Sequence, residues 1–142
     1  MAISLKRAYD EPSVRDGFRI LVDRLWPRGI SKEAADIDLW LRDLAPSNKL
    51  RQWFHARPRQ WAAFRTRYLA ELGAPEAEAA LQQLYGMASK KKQVTLVYAS
   101  KNLEHNNAVV LKQLLEGMRK PPSTTGPAAA AAKPRQRTAR RR

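Results

Sequence analysis

Two short stretches hold most of the side chains from which a site can be built. In "DRLWPRG", residues 23–29, Asp23 and Arg24 precede a Trp-Pro corner and Arg28 follows it. In "ASKNLEHNN", residues 99–107, Ser100, Lys101, His105 and Asn106 fall within seven positions. Arg24, Arg28 and Lys101 supply the positive charge that phosphate or carboxylate requires, with guanidinium forks matching the oxygens in pairs. Ser100 and Asn106 can orient such an anion by hydrogen bonding, and Asp23 and His105 are the candidate proton-transfer groups, histidine because its ordinary pKa lies near neutrality. Each feature also has a plainer reading. Pro27 and Gly29 suit a rigid turn that Trp26 plugs into the core, with Asp23 paired to Arg24 or Arg28, and Ser100 or Asn102 suits a helix cap.

Other chemistries lack residues. The chain has no cysteine, so disulfides, thiolate catalysis and cysteine-based zinc sites are excluded. It has two histidines, and His55 reads as a surface residue, so neither a metal nor another cofactor is expected. No Gly-rich phosphate loop, nucleophile elbow or Walker motif is present. The residues name no reaction, and whether the protein is an enzyme stays open at this level.

The two stretches need strands and helices to bring them together. "ISLKRAY" alternates like a strand near a sheet edge, and "GFRILVDR" puts Phe18, Ile20 and Val22 on one face and Arg19, Leu21 and Asp23 on the other. Residues 37–44 fit either a strand or a helix, with strand preferred up to Pro46. Three helices follow: one capped by Ser47 and stopping before Pro58, one over residues 58–73 between Pro58 and Gly73, and one starting at Pro75 with Glu76 and Glu78 in its first turn. Trp53, Trp61, Phe64 and Tyr68 read as core, with Arg65 the odd member of that apolar side. "VTLVYAS", residues 94–100, is the clearest central strand. It runs into a helix striped by Ala108, Leu111, Leu115 and Met118, whose dipole is placed near Asn102 and on whose apolar side Asn107 sits as a buried amide. Strands alternating with helices predict an α/β fold, a mostly parallel central sheet flanked by helices in a single domain. Both polar stretches then follow strand carboxyl ends, where ligands of such sheets bind.

Composition adds a second possibility. The 142 residues carry 27 Lys and Arg against 13 Asp and Glu, a net charge of +14. Residues 121–142 lack acids, aromatics and apolar periodicity and read as a disordered basic tail. Its six cations, Lys133, Arg135, Arg137, Arg140, Arg141 and Arg142, leave +8 on a domain spanning 1–120. A small anionic ligand is therefore one expected partner. Nucleic acid, contacted by the basic core and the tail, is the alternative. No apolar stretch reaches the ~20 residues of a membrane span and the N-terminus lacks a signal-peptide apolar region, so the expectation is a cytoplasmic protein with no membrane partner.

Taken together, "DRLWPRG", "PSNKLRQWFHARP", "FRTRYLAEL" and "VTLVYASKNLEHNNAVVLKQLL" resemble the YeaO-like branch of bacterial domain-of-unknown-function family 488. The resemblance spans most of residues 1–120. It implies an α/β fold with a signature of Asp23, Arg24, Pro27, Arg28, Gly29, Trp53, Tyr68, Glu71, Lys101, Asn106 and Ala108, and no established activity. More distant members carry Cys and His where this chain has Tyr98, Asn106 and Asn107, so the resemblance brings no thiol or cysteine-metal chemistry here.

Overall fold

A computed structural model describes residues 2–118. The expected tail, with Lys133, Arg135, Arg137, Arg140, Arg141 and Arg142, lies outside the described residues.

Four strands form one parallel sheet: β1 (Ile3–Arg7), β2 (Phe18–Leu21), β3 (Leu39–Trp40) and β4 (Val94–Tyr98), in the order β1-β4-β2-β3. The five residues of β4 are all buried, as their β-branched and aromatic types suit for a strand flanked on both sides. The alternating β1 takes an edge. Val94 pairs with Ile3 on one side and Phe18 on the other, and Ile20 pairs with Leu39. Residues 37–44, read as one strand, contain only the two residues of β3 before a 3-10 turn at Arg42–Leu44.

The helices are α1 (Lys32–Ala35), α2 (Asn48–Ala56), α3 (Trp61–Glu71), α4 (Pro75–Lys90) and α5 (Asn107–Gly117). Ser47 caps α2, its Oγ accepting from Leu50 N at 3.1 Å, and Pro75 opens α4, as their sequences predict. Two helix starts differ from expectation. α3 begins at Trp61, because Pro58 to Gln60 form the turn that reverses the chain after α2. α5 begins at Asn107, five residues beyond Asn102, because the Asn106 side chain accepts from Val109 N at 3.0 Å and closes the first turn there. The dipole expected at Asn102 is therefore at Asn106.

The two sheet faces are covered differently. Ile20, Val22, Val94, Leu96 and Tyr98 meet apolar residues of α2 to α5, including Leu50, Phe64, Leu84 and Leu111, in the main core. On the other face Leu21, Val97 and Ala8 meet Trp26, Ile30, Ile37 and Trp40, so the segment between β2 and β3 is the cover. Arg19 points to this second face at 2% exposure, which costs heavily unless every donor has a partner. Its Nη1 contacts Asp16 Oδ2 at 2.6 Å, and Nε and Nη2 donate to Ala35 O at 3.2 and 2.8 Å. Burial pushes the Asp16 carboxyl up, but the Ser13 N–H, Lys6 and Arg19 outweigh it and the pKa is lowered.

Candidate functional site

Because all four strands run the same way, the chain leaves the sheet at one edge after Arg7, Leu21, Trp40 and Tyr98. Segments following each of them line a cleft of about 780 Å³, within the usual range for small-molecule sites. Tyr9 comes from the first, Asp23 to Arg28 from the second, Ala45 and Pro46 from the third, and Ala99 to Asn102 with His105 to Asn107 from the fourth. Asp23, Arg24, Arg28, Ser100, Lys101, His105 and Asn106, singled out in two distant stretches of sequence, thus share one cleft. Their arrangement separates those that brace the walls from those whose polar ends are open.

Asp23 belongs to the floor. Its Oδ2 accepts from Ala99 N at 2.8 Å and its Oδ1 from Asn107 Nδ2 at 3.1 Å, while Asn107 also donates to Val22 O at 2.9 Å. The pair ties the end of β2 to the end of β4 and to the start of α5. Asn107 is therefore the buried amide its helical position predicts, and Asp23 makes this link instead of pairing with Arg24 or Arg28. Burial raises the Asp23 pKa, more than the Ala99 N–H, the Asn107 amide and the Arg51 charge pull it down.

Arg24 and Asn106 are largely engaged as well. The Arg24 guanidinium donates to Pro46 O at 3.3 Å and Ala45 O at 3.2 Å, holding the segment before α2 against the corner after β2. Asn106 caps α5 and donates to Asn102 O at 2.8 Å, so both ends of its amide have partners. The same segment is gripped from α3: Tyr68 donates to Leu44 O, and Glu71 accepts from Ser47 N at 2.8 Å and Ser47 Oγ at 2.6 Å. Burial, with the charges of Asp23 and Glu71, pushes the Tyr68 phenol up, which keeps its donor proton in place. Trp26 stacks edge-on to Trp40 at 5.6 Å, and its Nε1 donates to Ile30 O at 2.6 Å. Gly29 takes φ +82°, the left-handed conformation that its place after the Trp-Pro corner calls for.

The open polar groups are at the mouth. Arg28, Ser100 and Lys101 are exposed, and among the described residues no carboxylate pairs with either cation. Tyr9 Oη donates to Arg28 O at 3.0 Å and so positions the arginine through its backbone. Ser100 Oγ accepts from Asn102 N at 3.2 Å and Asn102 Oδ1 from Glu104 and His105 N–H groups, which folds the loop back over the cleft. His105 lies parallel to Trp61 with ring centroids 4.6 Å apart.

Sequence reasoning missed two members. Arg51 and His55, one turn apart on α2, line the cleft with Phe54. The i, i+4 spacing of Arg51 and His55 was the available signal, but it gains meaning only once α2 is known to form a wall. Arg65 lies outside the cleft, its Nε donating to Gln113 Oε1 at 3.4 Å. Among the described residues no group of three or more His, Asp or Glu side chains is placed to hold a metal ion. A second hollow of about 520 Å³ near β3 sets Arg42 against Asp43 and Glu76, so its charge is net negative where that of the larger cleft is positive.

Fold and site together define a parallel α/β domain with a cationic cleft beyond the strand carboxyl ends, whose sequence signature is largely structural bracing. Residues 2–132 match the family described as "Inactive DUF488-N3 subclade", and the chain belongs to it. It is 45% identical over 118 residues to "Uncharacterized protein YeaO" of Escherichia coli (strain K12), covering 83% of this chain and all of that one. It is 39% identical over 115 residues to "Uncharacterized protein Rv3073c" of Mycobacterium tuberculosis (strain H37Rv), covering 81% of this chain and 94% of the relative. No solved structure matches the chain. No helix among the described residues is long and apolar enough to cross a membrane.

Proposed function

We propose that this chain is a binding domain without turnover, which holds a small phosphate- or carboxylate-bearing ligand in the cleft at the carboxyl edge of its sheet. One observation carries the reading: Arg28, Arg51 and Lys101 are exposed around a single cleft with no carboxylate paired to them among the described residues. Arg28 and Lys101 hold the anion and Ser100 donates to it. Arg24 and Asn106 keep those groups in register from behind. Asp23, an acceptor on the floor, repels an anionic oxygen and suits a ligand hydroxyl or amine beyond the charged end. The braced state of Asp23 supports a role without proton transfer, as does the family's description as inactive. The binding unit is residues 1–120, and the setting is the cytoplasm, where phosphorylated metabolites occur.

The test is thermal unfolding of the full chain with phosphorylated metabolites, nucleotides and small carboxylates, at low and at moderate salt. A ligand at about 100 times its Kd stabilises by about 2.7 kcal/mol, a shift near 10 °C for a domain of this size. Arg28→Ala and Lys101→Ala remove that shift and leave the ligand-free melting temperature within about 2 °C, as exposed substitutions do. A cleft that responds to no anion, or an undiminished shift in Arg28→Ala, overturns the proposal.

A further inference from the structure

The hairpin of α2 and α3 carries more positive charge than the cleft uses, since Arg51 is the one cation of the hairpin that lines it. Residues 48–70 contain six cations, Lys49, Arg51, Arg57, Arg59, Arg65 and Arg67, and no acid. Every one except Arg65 is exposed, and Arg65 is turned to Gln113 of α5. The ion pairs among the described residues are Lys6–Asp16, Arg19–Asp16 and Lys112–Glu116, so none of the six is neutralised by a described partner. The face is also organised. Arg57, from the end of α2, and Arg67, from α3, lie 5.4 and 4.0 Å from the centroid of the Trp53 ring, so one ring holds two like charges. Concentrated positive charge of this kind is relieved by a polyanion that spans it.

We propose that the α2–α3 hairpin is a docking face for the phosphate backbone of nucleic acid. The alternative, an acidic protein, needs an apolar centre, because protein interfaces place aromatic and aliphatic anchors inside a polar rim. On this face Trp53, Phe54 and Trp61 are half-buried, with Arg57 and Arg67 over the Trp53 ring, and among the described residues the exposed large apolar side chains, Tyr9, Val14, Leu25 and Leu103, all lie outside the hairpin. Nucleic-acid interfaces are instead polar and strongly positive. Apart from Arg51, which lines the cleft, three of the four outward cations are arginines, whose forks pair with phosphate oxygens. α2, nine residues long, spans about 13 Å, the length of ~4 base-pair steps measured along a duplex axis. Contacts of this kind carry no sequence information, so the face binds without base preference.

The test measures binding of the full chain to a fluorescent DNA duplex of about 20 base pairs as salt is varied. Combined Arg57→Gln, Arg59→Gln and Arg67→Gln substitution reduces the slope of log affinity against log salt by about 3, and the affinity at ~0.1 M salt by at least tenfold. The lysine triple at the same positions keeps the slope. None of the three residues lines the cleft, so this proposal and the cleft reading fail separately. If the glutamine triple does not fold, Arg59→Glu alone lowers both affinity and slope. A folded triple with unchanged slope, or an unchanged Arg59→Glu variant, overturns the proposal. So does binding to polyglutamate as tight as to the duplex, with both lost together in the triple, since the face would then take acidic protein.

Discussion

Glu71→Ala tests whether the family signature is a brace. Glu71 receives Ser47 N–H at 2.8 Å and Ser47 Oγ–H at 2.6 Å, and Ser47 is at once the cap of α2 and the end of the segment that forms one cleft wall. Hydrogen bonds to a charged acceptor contribute about 1.5–3 kcal/mol each when well buried. Glu71 and Ser47 are half-buried, so the lower end applies, and loss of both bonds costs about 2–4 kcal/mol. At about 4 °C per kcal/mol for a domain of this size, the melting temperature falls by about 8–16 °C. Urea unfolding followed by circular dichroism gives the free energy directly. Tyr68→Phe removes the phenol bond to Leu44 O in the same segment. The two substitutions are therefore coupled, and the double variant departs from additivity by at least ~0.5 kcal/mol. Loss of less than about 1 kcal/mol in Glu71→Ala, or strict additivity with Tyr68→Phe, would refute the idea that one clamp holds the wall.

Asn106→Ala removes the side-chain cap of α5 and costs about 1–2 kcal/mol in chemical denaturation, whereas Asn106→Asp restores the cap acceptor but loses the donor to Asn102 O and so recovers only part of that stability. Gly17, at φ +66°, has no room for a methyl group, because a Cβ there would lie 2.3 Å from Gln93 O. Gly17→Ala accordingly costs at least ~2 kcal/mol, and a change below half that would show that the turn relaxes freely. For Asp23 the expectation concerns pH. Burial raises its folded-state pKa above the unfolded value of about 3.9, so the folded chain holds this proton to higher pH than the unfolded chain does. The contribution is full below the unfolded pKa and is lost as pH rises through the folded one. The stability advantage of the wild type over Asp23→Asn therefore shrinks as pH rises from about 4, and an advantage that grows would reverse the sign of the argument.

Much of the fold was legible because its elements carry local signals. The apolar alternation around β2, the uninterrupted run of β4, Ser47 before α2 and Pro75 at the start of α4 reflect interactions among residues close in the chain. The signals weakened where a long-range partner decides. Residues 37–44 scatter their apolar groups because β3 pairs for two residues only, while Trp40 turns away to donate to Asp23 O at 2.7 Å. α1 has four residues and gives no periodic pattern, and the start of α5 was blurred by three asparagines, any of which can cap.

Read in one dimension, the chain is already a basic α/β protein without cysteine, with polar stretches after two strands and the signature of its family. Those are properties of residue type and spacing, which survive without knowledge of any partner. Which polar groups are open and which are bound depends on the assembled sheet and its loops. Asp23, Arg24, Arg28, Lys101 and Asn106 look alike as candidates in one dimension. The parallel sheet brings their loops together, and the acceptors and donors met there, Ala99 N, Asn107 Nδ2, Ala45 O, Pro46 O and Val109 N, turn Asp23, Arg24 and Asn106 into braces. A buried polar group must find a partner, and the partners here lie up to 84 positions away in the chain.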